Sequence, residues 1–251
     1  MIELWQFNFS MYPEIVRWAL DHKGLEYRTR VLLPGPHVLQ LMPRFGQKTV
    51  PVLRDGARLL RQTGEMLDHL EAYAPSLLPT DAAQREAAWA WARRALEQWG
   101  PSVRLAGFHD LLPHAAYMAR LWSQPFPPLA RAAYVAGFPL LMRPVMRLDM
   151  GITDERAEAA RAVTAAALDA VAEATRRQDY LVGGRFGLAD LAVAAVLALT
   201  VLPEEYPLSL PQPHPRGVRR WLGRWRGHPG AAWVRRVYAV HRRRAAMPVA
   251  A

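Results

Sequence analysis

A proline inside an apolar strand pattern constrains this chain more than any other feature. Val50–Leu53 is an apolar run that contains Pro51, and the pair Asp55-Gly56 separates it from a second short run, Ala57–Leu60. Proline has no N–H to donate to a ladder, so Pro51 belongs at the first position of a strand or on an edge. Asp-Gly predicts a tight hairpin turn. We therefore expect two antiparallel strands entered through an X-Pro bond, which in the cis form would turn the Val50 peptide outward.

The polar pair Gln62-Thr63 follows this hairpin, at the predicted start of a helix over Gly64–Tyr73. A hydroxyl at the N-cap and the free amides of a first helical turn together attract anions. The pair therefore predicts a site for a carboxylate.

The elements before the hairpin complete an α/β unit. Ile2–Phe7 alternates apolar and polar residues, which is typical of a strand. Pro13 is expected at the first position of a helix that ends near Gly24. A second strand is predicted within Leu25–Leu33, and a short helix then runs to Pro43. The order β-α-β-α-β-β-α indicates a thioredoxin-like layout.

The remainder of the chain reads as helical. Pro75–Thr80 is a natural linker, after which Thr80 or Asp81 caps a long helix. We expect a helix from Thr153 to about Arg177, a buried helix over Leu188–Val201 and two basic helices at the end. The prolines of Pro101–Gly151 indicate kinked helices or an inserted loop. The predicted fold is thus an α/β domain over residues 1–75, followed by an all-α domain over residues 76–251.

The order of strand, Val-Pro, strand, Gln-Thr and helix resembles the glutathione-binding half of the cytosolic glutathione transferases, with Gln62 eleven positions after Pro51. Phe186–Leu191 is similar to the Ser/Thr-x-x-Asp capping box of their central helix, although Gly187 stands at the Ser/Thr position. Pro215–Arg236 also resembles the C-terminal part of that family. The resemblance implies an N-terminal thioredoxin-like domain followed by an all-helical domain, and Pro101–Gly151 is the part that matches it poorly.

The resemblance also implies a set of glutathione contacts. Val50 would pair its backbone with the cysteinyl part of the tripeptide, and Thr49 would add a contact at its glycine end. Gln62 and Thr63 would hold its γ-glutamyl carboxylate. Lys48 is either a further contact at the glycine end or an ordinary surface lysine.

The family activates the glutathione thiol with a Tyr, Ser or Cys placed just after the first strand. Here the tyrosine position is occupied by Gln6, whereas counting back from Val16–Leu20 to the serine position leads to Ser10. Ser10 is therefore the candidate catalytic residue, with Tyr12 as the fallback donor. The alternative is that Ser10 only caps the helix that follows it. By the same resemblance, Tyr12, Phe108 and Tyr117 are expected to wall the electrophile pocket.

Composition excludes several classes of protein. The 251 residues include no cysteine, which rules out disulfides, thiolate metal sites and transfer through an enzyme thiol. We expect no metal site, and glutathione as the co-substrate. Since neither a leader nor an apolar stretch of 18 residues is visible, a cytoplasmic protein is expected.

The net charge of +10 equals the ten arginines of Pro207–Ala251, a segment without Asp or Glu. Such a tail could bind nucleic acid or an anionic membrane, but a solvated basic helix is the preferred interpretation.

The leading hypothesis is a homodimeric serine-type glutathione transferase acting on a small hydrophobic electrophile. A glutathione-dependent isomerase or dehalogenase begins with the same thiolate and remains an alternative. So does a non-catalytic relative that keeps the fold as a binding protein.

Overall fold

The structure, a computed structural model, describes residues 1–242, apart from the side chain of Met142. The first part contains strands β1 Ile2–Gln6, β2 Tyr27–Val31, β3 Val52–Asp55 and β4 Arg58–Leu60, with helices α1 Met11–His22, α2 His37–Phe45 and α3 Thr63–Leu70. The second part contains helices α4 Ala82–Arg94, α5 Gly100–Leu111, α6 Ala115–Ser123, α7 Pro128–Asp149, α8 Asp154–Ala174, α9 Leu188–Val201, α10 Arg216–Gly223 and α11 Pro229–His241. The predicted succession of an α/β part and an all-helical part is confirmed. Within residues 1–242, no helix combines the length and apolarity needed to cross a bilayer.

The four strands form one mixed sheet in the order β2-β1-β3-β4. β1 runs parallel to β2, and β3 runs antiparallel to both β1 and β4. Trp5 lies opposite Val52, and Leu53 lies opposite Leu60. This register places the ends of β1 and β4 and the beginning of β3 at one edge of the sheet. The starts of α1 and α3 therefore share that edge with the Val50–Pro51 bond, which is cis.

The hydrophobic core is continuous between the two parts. The apolar helix α9 contacts α1 on the sheet side and α4 and α11 on the helical side. Leu4, Ile15 and Leu67 of the α/β part belong to the same buried cluster as Leu191 and Val196 of α9. Since both parts bury apolar surface against one helix, their relative position is fixed by packing.

The structure explains why glycine stands at position 187, the N-cap of α9. Asp190 accepts the Leu181 and Gly187 amides at 2.8 and 3.0 Å, so the acidic half of the box is intact. A Cβ on Gly187 would lie 2.7 Å from the Leu77 carbonyl oxygen. That carbonyl accepts the Leu188 amide at 2.8 Å. The linker backbone thus occupies the space that a serine or threonine side chain would need.

Two predictions about helices at prolines are wrong, and the alternative left open for Pro101–Gly151 is decided. α1 begins at Met11, so Pro13 lies inside the first turn rather than at its first position. The helix loses no hydrogen bond there, because amides of the first turn have no acceptor within the helix. α2 continues past Pro43 to Phe45. The segment Pro101–Gly151 is built of helices α5–α7 and their connections, not of an inserted loop.

The last described residue anchors the helical part to α1. The Arg242 guanidinium, 3 % exposed, donates to the Glu14 carboxylate at 2.7 Å and to Asp21 at 2.7 Å. Glu14 also receives Arg17 at 2.7 Å, and both of these side chains are buried. A buried carboxylate is therefore held between two arginines from opposite ends of the chain, which offsets the loss of hydration.

Candidate functional site

Ser10 lies between β1 and α1 with its hydroxyl unused by the fold. Its backbone is extended, as an N-cap requires, and its carbonyl accepts the Glu14 amide at 3.1 Å. The side chain makes no capping bond, and no group among residues 1–242 bonds to the hydroxyl. A hydroxyl that is not needed for capping is available to donate to a bound ligand at the positive end of α1.

Gln6, at the position of the family's tyrosine, is committed to the interior. It is fully buried, its carbonyl oxygen accepts from Arg17, and its amide donates to Asn8 at 3.4 Å. Arg17 also reaches the Asn8 carbonyl at 3.3 Å. These bonds fix the segment that leads from β1 to Ser10 and commit the Gln6 side chain to the interior.

Aromatic contacts hold the same segment from the other side. Phe9 stacks on Trp122 of α6 with ring centroids 4.5 Å apart, and its carbonyl accepts the Tyr206 hydroxyl at 3.2 Å. Burial raises the pKa of Tyr206, so this phenol stays protonated and keeps its donor. The position of Ser10 is thus set by groups from the helical part.

A narrow cavity opens beside Ser10, with a volume of about 50 Å³. Its walls come from the start of α1, from α5, α6, α9 and α10, and from the loop before α10: Phe9, Ser10, Met11, Val103, Arg104, Gly107, Phe108, Leu111, Leu121, Trp122, Leu199, Leu208 and Trp221. Pockets for drug-sized ligands hold roughly 300–1,000 Å³. In this form the cavity therefore accepts only the reactive end of a flat apolar molecule.

Of the three residues predicted to wall the electrophile pocket, the structure brings only Phe108 to this cavity. The Tyr12 hydroxyl donates to the Leu96 carbonyl at 3.1 Å, and burial raises its pKa. Tyr117 is buried in a separate hydrophobic cluster built mainly from α6 and α7. Its hydroxyl lies 3.1 Å from Nδ1 of His214. The structure thus places the hydroxyls of Tyr12 and Tyr117 in contacts between elements, away from the cavity beside Ser10.

The Val50 peptide lies at the same sheet edge with both polar groups free. Among residues 1–242, neither its N–H nor its carbonyl has a hydrogen-bond partner, and Val50 is partly exposed. Thr49 next to it is exposed, and its carbonyl accepts the Gln47 amide at 2.8 Å. Lys48 is bound to Asp149 at the end of α7, 3.1 Å away, rather than directed at the edge. An extended peptide can therefore pair with the Val50 backbone.

The start of α3 completes the edge. Gln62 is the N-cap, and its exposed side chain makes no capping bond, while Glu65 accepts the Gln62 amide at 3.3 Å. Met66 donates to the Gln62 carbonyl, so the amides of residues 63–65 have no partner within the helix. Thr63 is the first helical residue and is buried, not the cap that its hydroxyl predicted. The amides and the Gln62 side chain can receive a carboxylate here.

Sequence reasoning did not identify Trp122, Tyr206 or Arg104 as parts of this site. The first two come from the helical part, far along the chain, and no local motif marks them. Arg104 is one turn ahead of Phe108 on α5, a spacing that could have been noticed. Within residues 1–242, no three His, Asp or Glu side chains are arranged to hold a metal ion.

Comparisons with known proteins agree with this two-part fold. The family model of the glutathione S-transferase N-terminal domain matches residues 4–78, and that of the C-terminal domain matches residues 154–224. A search of curated proteins gave no match. The two family models together cover more than half of the chain.

Solved structures show the same fold at low identity. A beta-etherase from Sphingobium sp. is 18% identical, with 93% of this chain and 98% of that chain aligned and a TM-score of 0.60. A theta class glutathione S-transferase from Xanthomonas axonopodis pv. citri with glutathione bound is 19% identical, with 98% of both chains aligned and a TM-score of 0.54. A glutathione S-transferase from Methylobacillus flagellatus with glutathione bound is 17% identical, with 94% of both chains aligned and a TM-score of 0.56. With a family model matching each of its two parts, this protein belongs to the glutathione S-transferase superfamily.

Proposed function

We propose that the protein is a glutathione transferase that ionises the glutathione thiol beside Ser10 and directs it at a small apolar electrophile. The observation that carries this proposal is the meeting of three unsatisfied features at one sheet edge. They are the Ser10 hydroxyl, the Val50 peptide and the α3 start. Two relatives of the same fold have glutathione bound, which supports the choice of ligand.

In this proposal glutathione lies extended along the edge. Its cysteinyl backbone pairs with the N–H and carbonyl of Val50, with Thr49 alongside. Its γ-glutamyl carboxylate binds at Gln62 and at the free amides that begin with Thr63. This arrangement directs the thiol toward the start of α1.

The Ser10 hydroxyl and the dipole of α1 would lower the pKa of the bound thiol. A free cysteine thiol has a pKa of about 8.5, so ionisation at neutral pH needs a shift of about 2 units, or about 2.7 kcal/mol. A donor aimed at the anion together with a helix N-terminus supplies an energy of that order. The thiolate then attacks an electrophilic carbon in the cavity, forming a C–S bond while the leaving group departs with the bonding pair.

The variant Ser10→Ala tests the catalytic step. We expect kcat/KM toward an activated aryl halide to fall about 100-fold, because one donor to the developing anion is lost, while the Kd for glutathione stays within about 2-fold. The ultraviolet absorbance of the bound thiolate should titrate at higher pH in the variant. Ser102→Ala is the matched control, because the Ser102 hydroxyl only bonds to the Gln98 carbonyl of the preceding turn. Unchanged turnover in Ser10→Ala would exclude Ser10 as the donor.

A glutathione-binding protein without catalysis is the second candidate. It is favoured by the small cavity, which admits little of a second substrate in this form. Calorimetric binding of glutathione without turnover of aryl halides, alkyl halides, epoxides or activated ethers would support it. Absence of any glutathione binding at millimolar concentration would exclude both candidates. We also propose the homodimer that is usual in the family, which light scattering of the eluted protein would test.

A further inference from the structure

The cavity beside Ser10 has an uneven distribution of charge. Among its lining side chains, Arg104 carries the charge; the Ser10 hydroxyl and the Trp122 and Trp221 indoles are polar but neutral, and the others are apolar. Phe108, Trp122 and Trp221 supply aromatic walls. Such a cavity favours a planar apolar group, and it has a cation at its side.

The geometry of α5 places Arg104 on the side of that helix that faces the start of α1. Gly100, Arg104 and Phe108 are spaced four residues apart and so lie along one face of the helix. At one end of this face, a Cβ on Gly100 would be 2.6 Å from the Tyr12 hydroxyl, so α5 contacts the first turn of α1 there. At the other end, Phe108 enters the cavity. Arg104 lies between these two points, on the side of α5 that faces the Ser10–Tyr12 segment.

No acid in the described part of the chain uses this arginine. Arg104 is exposed, and within residues 1–242 it has no hydrogen bond, ion pair or ring contact. Two arginines near the other side of α5 share one acid instead. Arg161 binds Asp110 at 2.9 Å, and Arg224 reaches the same carboxylate at 3.5 Å. A guanidinium can bind a carboxylate through two parallel hydrogen bonds, and beside an apolar wall that bond is less screened than in water.

We propose that Arg104 makes the site selective for aromatic electrophiles that carry a carboxylate, a proposal that rests on the proposed function. The ring edge with the leaving group enters the cavity toward Ser10, and the carboxylate remains at the mouth on Arg104. The thiolate sulfur forms a bond to the ring carbon, and the leaving halide departs with its electron pair. The thiol proton has already passed to solvent. The carboxylate takes no part in bond making, so Arg104 acts through binding and orientation.

A matched pair of probes tests this selectivity: 4-chloro-3,5-dinitrobenzoate and its methyl ester, each normalised to its uncatalysed rate with glutathione. In Arg104→Gln we expect kcat/KM for the carboxylate to fall about 3- to 5-fold, the upper part of the range for an exposed ion pair, chiefly through KM. The ester should change by less than about 2-fold. Arg104→Lys should recover part of the loss, and added salt should reduce the selectivity of the wild-type protein.

Arg93→Gln is the matched control, because Arg93 is exposed on the neighbouring α4, bound to Glu86 and outside the cavity lining. An equal fall for carboxylate and ester in Arg104→Gln would overturn the proposal and assign Arg104 to the fold or the thiolate. No fall for either probe would reduce Arg104 to a solvated surface residue. A raised KM for glutathione would show that the arginine binds the tripeptide instead.

A binding measurement separates this proposal from the proposed function. The preformed conjugates of glutathione with each probe are titrated calorimetrically into wild-type protein and Arg104→Gln. Weaker binding of only the carboxylate conjugate in the variant supports Arg104 selectivity even if no turnover is found, in which case only the catalytic proposal fails. Equal affinities of both proteins for the carboxylate conjugate overturn the selectivity even if turnover is rapid.

Discussion

At the scale of single residues, the absence of a side chain at Gly187 and the unbonded hydroxyl of Ser10 say most about the capping of α9 and the candidate site. Gly187 admits the Leu77 carbonyl at a distance that no Cβ would allow, and Ser10 leaves its hydroxyl free at the start of α1. Both positions depart from what their local sequence suggests, since a capping box favours serine at residue 187 and an N-cap serine normally bonds to its own helix. In each case a contact from elsewhere in the molecule decides the outcome.

Restoring the capping residue should therefore destabilise the protein. We expect Gly187→Ser to lower the free energy of unfolding by about 1–3 kcal/mol, because the new Cβ collides with backbone at Leu77 and forces the linker or α9 to shift. Urea denaturation monitored by tryptophan fluorescence measures this change. Gly223→Ala is the control, since nothing lies within 4 Å of its added Cβ and it is expected to be neutral or slightly stabilising. A stabilised Gly187→Ser would contradict the steric explanation.

At the scale of elements, the helix starts determine what the sheet edge can bind. The exposed Gln62 side chain and the free first-turn amides of α3 are arranged for a carboxylate. We expect Gln62→Ala to weaken glutathione binding about 5- to 20-fold with little change in kcat, because Gln62 is remote from the reacting sulfur in the proposed complex. Calorimetry and steady-state kinetics measure the two effects, with Gln178→Ala, an exposed residue between α8 and α9, as the control. A large fall in kcat at saturating glutathione would contradict this division of roles.

Asp190, at the start of α9, makes the free energy of unfolding depend on pH. Burial raises the pKa of Asp190 to about 7, against the hydrogen bonds from Leu181 and Gly187. The folded state then holds a proton that the unfolded chain has lost, so this residue's contribution to stability decreases as the pH rises from about 4 to about 7. Asp190→Asn removes the titration. The unfolding free energy of the wild type, relative to this variant, should fall across that window, and a difference that does not vary with pH would disprove the titration.

Much of this element-level description could be predicted from local signals. The proline-led hairpin, the beginning of α8 after Thr153 and the span of α9 follow from turn residues, caps and continuous apolarity. The beginning of α1 and the helices of residues 101–151 were harder, because proline is compatible with a first helical turn and also signals a break. The cavity could not be derived, since its walls come from segments distant in sequence. For example, no residue near Phe9 in the sequence indicates that its ring stacks on Trp122.

At the scale of the whole molecule, the two parts of the chain are joined by a buried ionic cluster as well as by apolar packing. Arg242, which follows α11, reaches Glu14 and Asp21 of α1, and the His241 carbonyl accepts the Trp18 indole at 3.3 Å. Arg17, in the same cluster, also donates to the Gln6 side chain and to the Asn8 carbonyl, two residues from Ser10. The end of the helical part is thus in contact with the support of the candidate catalytic residue.

We expect Arg242→Met to destabilise the protein by about 3–5 kcal/mol, because Glu14 would remain buried with part of its neutralising charge removed. Equilibrium unfolding measures the loss, and the double variant Glu14→Gln/Arg242→Met should not recover it, because the buried Arg17 would then lose its carboxylate. Arg236→Met, whose side chain is half-exposed on α11, is the control. A loss of less than about 1 kcal/mol would mean that Arg242 contributes little beyond a surface ion pair.

The reach of Arg242 across the molecule also limits how such a chain can recombine with its relatives. Exchanging the first 78 residues for those of another family member would bring in a different partner for this guanidinium unless an acid stood at position 14. An otherwise well-matched chimaera would then hold an unpaired cation in its interior. Hybrids that fold well should therefore be those that take position 242 and positions 14 and 21 from the same parent.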